Sequence, residues 1–104
     1  MVELWQTEWC PASRRVRQRL TELGVEYVAH QVPVEREQRT LLRESTGSDT
    51  IPVLVTSEGE VVVGEEAISA YLDAQIPESP EAQAHREKAE KARRRYLQEE
   101  CECS

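Results

Sequence analysis

The chain has no apolar run approaching the roughly 20 residues that span a bilayer, and Met1 to Gln6 show no basic start followed by a long apolar stretch. These absences exclude a membrane span and predict a soluble, unexported, cytoplasmic protein. Positive charge is in short supply. With 13 basic against 20 acidic side chains the formal charge is -7, which excludes nucleic acid and anionic membranes as the main partner, because phosphate binding needs a net attractive field. Arg14, Arg15, Arg17 and Arg19 are a local exception. Cysteine is scarce and unevenly placed: Cys10 near the start, then Cys101-Glu102-Cys103 at the end. Such spacing does not build a disulfide framework. In a reducing cytosol these residues are thiols, and at least one is a candidate for reactivity rather than scaffolding. No internal repeat is present.

What remains is enough for one domain. A chain of 104 residues buries about two-thirds of its unfolded surface around a single core. Hydrophobic residues at 38% and charged residues at 32% lie in the globular range, while the mean hydropathy of -0.65 points to a solvated part, placed at the C-terminal end. Val2 to Gln6 alternates Val2 and Leu4 with Glu3 and Trp5, as a strand does, and Pro11 suits the first turn of a helix. Val16, Leu20 and Leu23 fall on one helical stripe that Gly24 ends. Val25 to Val32 reads as a strand and Glu35 to Ser45 as a surface helix closing at Gly47. Pro52 to Val55 and Val61 to Val63 flank Ser57-Glu58-Gly59-Glu60 as a hairpin, and Gly64 to Ala74 carries Ala67, Ile68, Tyr71 and Leu72 at helical spacing. The order is βαβαββα. After Pro77, Ser79 and Pro80, residues Glu81 to Glu100 lack an apolar stripe and predict a charged helix held by pairs such as Glu87 with Lys91 and Glu90 with Arg94.

Chemistry concentrates at Cys10-Pro11-Ala12-Ser13. A cysteine between a strand and a helix start has its thiolate stabilised by unpaired backbone N–H groups and the positive end of the helix dipole. In such turns the thiol pKa falls from about 8.5 into a range of roughly 3.5 to 7.5, and Arg14 and Arg15 add to the effect. The opposing reading is a buried, inert structural cysteine. Ser13 stands where a dithiol enzyme has its second cysteine, so Cys10 must exchange with another molecule or with a remote thiol. Cys101 and Cys103 offer four roles: resolving thiols for a mixed disulfide on Cys10, an easily reduced bridge, ligands to a shared metal, or an inert tail. His30 and His85 have no grouping that suggests a metal site and are read as structural or solvated.

Trp9-Cys10-Pro11-Ala12-Ser13, Thr50-Ile51-Pro52 and Gly64-Glu65-Glu66-Ala67-Ile68, in that order, resemble the glutaredoxin family and the N-terminal domain of glutathione transferases over about residues 2 to 76. The resemblance implies an α/β, thioredoxin-like fold: a four-stranded mixed sheet flanked by helices, with an extra C-terminal helix. The domain would occupy residues 1–76, a Pro-containing linker and charged helix 77–100, and a cysteine-containing tail 101–104. It further implies a cis bond before Pro52, so that Ile51 turns its backbone toward the active thiol. Trp9, Pro11, Ile51 and Pro52 would line the glutathione site, Arg39 would contact the glycine carboxylate, and the backbone of Glu65 with the side chain of Glu66 would hold the γ-glutamyl ammonium. Cys10 and Ser13 would be the catalytic pair.

Three departures stand out. Thr7 replaces the Lys often found three residues before the active cysteine, Glu65-Glu66 brings extra negative charge to the γ-glutamyl end, and the Cys-Gly-Phe-Ser turn of cluster-carrying relatives is absent. The expected function is a monothiol glutaredoxin-like oxidoreductase with no bound cofactor. Glutathione or another low-molecular-weight thiol is its co-substrate, oxidised or thiolated proteins are its partners, and a monomer is expected. The alternatives are a glutathione- or peptide-binding redox sensor without turnover, and a stand-alone transferase N-terminal-like domain.

Overall fold

Strand β1 (Val2–Gln6) is the backbone of the arrangement, because it is paired along both edges. In the computed structural model, which describes residues 1–77 and 80–98, β1 runs parallel to β2 (Tyr27–Gln31), with Val2 opposite Tyr27. On its other edge it runs antiparallel to β3 (Val53–Val55), with Leu4 opposite Leu54. The hairpin closes with β4 (Val61–Val63), giving a mixed sheet in the order β2-β1-β3-β4. Its turn is fixed by Thr56 N–H on the Glu60 carbonyl and Gly59 N–H on the Thr56 carbonyl, both at 2.9 Å.

Both faces of the sheet are covered. On one, α1 (Pro11–Glu22) and α3 (Glu65–Gln75) bury Val16, Leu20, Ile68 and Leu72 against Leu4 and Leu54. Each such side chain contributes about 1.5–3 kcal/mol when taken out of water. On the other, α2 (Thr40–Thr46) brings Leu42 onto Trp5, Val32 and Val53. The alternation in β1 therefore separates two cores rather than a core and solvent. The structure confirms the thioredoxin-like class.

The helix expected over Glu35 to Ser45 is shorter and broken: a single tight turn over Arg36–Gln38 precedes α2. The break falls at Arg39, whose side chain turns inward to backbone carbonyls instead of continuing a solvated helical face. Leu41 points to solvent and Ala67 is also exposed, so neither belongs to the core. Gly24 and Gly47 end α1 and α2 at φ 71° and 78°, conformations glycine adopts without a Cβ penalty.

Helix α4 (Pro80–Gln98) lies against α1, with Arg86 at 3.9 Å from Glu22, and its Ala82 is fully buried. Arg94 reaches Glu90 at 3.5 Å, the pair the spacing predicts, while Glu87 accepts from Gln83 at 3.3 Å. Cys101 and Cys103 lie outside the described residues.

Candidate functional site

Cys10 is the N-cap of α1, held where the chain leaves β1 by its own N–H on the Thr7 carbonyl at 3.2 Å. Pro11 follows as the first helical residue, where its missing N–H costs nothing. The sulfur is half-buried and accepts the backbone N–H of Ser13 at 3.4 Å. Partial burial pushes the thiol up. The Ser13 hydroxyl, the N–H groups of Ser13 and Ala12, and the Arg15 charge together outweigh it and hold the thiol below its ordinary value. The Ser13 hydroxyl is fully buried and close enough to favour a thiolate, but it makes no well-aligned hydrogen bond among the described residues. We read it as a donor poised for the charged sulfur, the state in which such a bond strengthens.

The Ile51–Pro52 peptide is cis, as the resemblance implied. Pro52 is buried and its carbonyl accepts the Gly64 N–H at 2.9 Å, which seats the start of α3 beside this loop. Ile51 packs against the core under α2. From the first turn of α3, Glu65 takes both Nε and a terminal nitrogen of Arg15, the latter at 2.9 Å. This fork joins α1 to α3 and lowers the Glu65 carboxyl, chiefly through the hydrogen bonds from Arg15. The Cys10 turn, the Ile51-Pro52 bend and the start of α3 thus meet at one end of the sheet. Trp9 stands next to them with 81% of its surface exposed, and Glu66 is also exposed.

Arg39 turns inward rather than into solvent. It is buried to 9% exposure and donates to the carbonyls of Pro33 and Val34 at 2.9 Å and of Asp49 at 2.8 Å. It fastens the segment after β2 to the loop leading into Thr50-Ile51-Pro52. Glu65 likewise has its carboxylate engaged by Arg15 rather than open.

Two arrangements were not foreseen. The Arg15–Glu65 bridge was detectable only as two charges near the starts of helices that share a sheet face. His30 stacks on Trp5 with ring centroids 4.1 Å apart and meets Glu3 at 2.6 Å, so it belongs to β1–β2 packing. A separate cleft of about 650 Å³ opens between α1 and α4, lined in part by Thr21, Glu22, Tyr27 and Arg86. No residue of the Cys10 site lines it.

Comparison with known proteins adds a family match: the glutathione S-transferase N-terminal domain, over residues 4–80. A glutathione S-transferase from Rhodospirillum rubrum F11 is 30% identical, with a TM-score of 0.65 over 75% of this chain and 35% of its own. One from Sinorhizobium meliloti 1021 is 30% identical, with a TM-score of 0.65 over 73% and 32%. A third, from Methylobacillus flagellatus KT and solved with glutathione bound, shares the fold at 24% identity and a TM-score of 0.63, over 76% and 39%. The chain spans between 32% and 39% of the length of these proteins. No curated protein sequence matches it.

Proposed function

Because this chain belongs to the glutathione S-transferase N-terminal domain family, we propose that its thioredoxin-like site works as a monothiol thiol–disulfide oxidoreductase of the glutaredoxin type. Cys10 is the nucleophile, and glutathione or another low-molecular-weight thiol is the co-substrate. The observation that carries this reading is the N-cap position of Cys10, where several donors favour its thiolate and no second cysteine stands at Ser13.

The Cys10 thiolate attacks the small-thiol sulfur of a protein mixed disulfide. The old S–S bond breaks, the protein leaves as a thiolate that takes a proton from water, and Cys10 carries the small thiol. A second small thiol, as thiolate, attacks that sulfur, releases Cys10 and leaves as the symmetrical disulfide. One free small thiol and the protein mixed disulfide thus become the protein thiol and the symmetrical small-thiol disulfide. Ser13 and the helix start stabilise the sulfur charge when Cys10 attacks and when it leaves. The Ile51 backbone beside the bend lies where an extended thiol ligand would pair, and orienting that thiol shortens the search for an in-line approach.

The test is reduction of a glutathionylated model peptide, with glutathione and glutathione reductase recycling. Loss of turnover in Cys10→Ser, together with a thiol alkylation profile that titrates below the ordinary range, supports the reading. Full turnover in Cys10→Ser overturns it.

A further inference from the structure

Gln6, the last residue of β1, is 1% exposed although its side chain is polar. Two residues after Leu4, it lies on the face of the sheet that α1 covers. A buried amide costs free energy unless its donors and acceptor are met, and here they are. Its Oε1 accepts from Arg17 of α1. Its Nε2 donates to Glu8 at 3.0 Å and to Gln31 of β2 at 3.1 Å, so both protons are used. Gln31 in turn donates to the hydroxyl of the buried Thr7 at 3.3 Å, and the Thr7 carbonyl accepts the Cys10 N–H at 3.2 Å. Arg17 also lies 3.7 Å from Glu8. One amide therefore ties the turn that enters Cys10 to the helix that leaves it.

The backbone of Gln6 takes no part in this network. Its carbonyl accepts the Val32 N–H at 2.9 Å and holds the strand whatever the side chain. The donors that favour the Cys10 thiolate belong to the first turn of α1. They meet the sulfur only while Cys10 keeps its extended N-cap conformation, φ -77° and ψ 119°. Helix ends open readily unless the chain entering them is held.

We propose that Gln6 is a positioning residue for Cys10: its amide clamps the Thr7-to-Cys10 turn to α1 and so keeps the sulfur on the N–H groups of the helix start. The proposal rests on the thiol-exchange reading above for its purpose and on the hydrogen-bond network for its mechanism. Only an amide suits the place. Arg17 presents a donor, whereas Glu8 and the Gln31 side-chain carbonyl present acceptors; a carboxylate meets the first alone, and an apolar group meets neither. Without the clamp the cap opens part of the time, and an uncapped thiol returns toward its ordinary protonation.

The experiment uses the full chain with Cys101→Ser and Cys103→Ser and reads the pH profile of iodoacetamide alkylation at Cys10. Gln6→Met nearly conserves the volume of the side chain and removes its bonds. It should slow alkylation several-fold at slightly acid pH, with the rate at high pH unchanged. Gln31→Leu removes one link of the network and should shift the profile less, in the same direction. Leu72→Ala, in the core toward the far end of α3, lowers stability without reaching the turn and should leave the profile in place. A profile that Gln6→Met does not move, or that Leu72→Ala moves equally, overturns the positioning role. If Gln6→Met does not fold, Gln31→Leu decides, and a profile identical to that of the wild type overturns the role. Alkylation needs no turnover, so the two readings fail separately. An unmoved profile removes Gln6 and leaves thiol exchange standing, whereas full peptide turnover in Cys10→Ser removes the oxidoreductase and leaves the clamp on the sulfur standing.

Discussion

A sulfur that burial alone would keep protonated is tipped toward thiolate by a few short-range donors, and each can be removed singly. Ser13→Ala deletes the buried hydroxyl, and the Cys10 thiol should rise. Alkylation by iodoacetamide at slightly acid pH should then slow several-fold, with the rate at high pH unchanged. Arg15→Gln should move the profile in the same direction but less, because Arg15 is largely exposed and its charge is screened. The same shift has a stability consequence. A thiol whose folded pKa is depressed adds stability that is complete above its unfolded value and is lost as pH falls through the folded value. The urea midpoint of the wild type relative to Cys10→Ser should therefore rise from neutral pH toward pH 9; a flat difference would contradict the lowered thiol. That Cys10 caps the start of α1 was legible from Pro11 and the strand-to-helix position alone. Arg39 was not, because a charge on a surface-helix pattern looks the same whether it faces solvent or turns in to carbonyls.

At the scale of elements, the segment between β2 and β3 depends on that inward turn. One guanidinium satisfies three carbonyls from two stretches of chain, and replacing it by an apolar group leaves those carbonyls without partners. Arg39→Leu should cost about 3 kcal/mol, given about 1.5–3 kcal/mol for a hydrogen bond to a charged group and incomplete additivity among them. Arg39→Lys should recover only part, since an ammonium cannot reproduce the planar fork. Urea unfolding at neutral pH measures both. The strands, α1 and α3 were legible because their apolar spacing is driven by the sheet they cover. The beginning of α2 was not, because its boundary is set by a tertiary contact rather than by local spacing.

For the whole molecule, the two cores enclose the sheet and leave α4 largely outside them. Apart from Ala82, the residues of α4 that are described add surface contacts to α1. Ending the chain at Pro77 should lower stability by on the order of 1 kcal/mol, the scale of one small buried side chain, and should leave Cys10 alkylation unchanged. A truncated chain that fails to fold would show that α4 is an integral layer. The low apolar content of this segment was enough to read it as peripheral, whereas its seat on α1 required the folded arrangement. Finally, β1 is hydrogen-bonded on both sides, to β2 and to β3, and ends three residues before the Cys10 turn. Amides on such a strand exchange with solvent only through the rarest, most global openings. Cys10 is thus mounted beside the part of the chain that yields last. In a urea titration, fast alkylation at Cys10 should persist until the cooperative transition and disappear with it, while the amides of the edge strand β4 exchange well before.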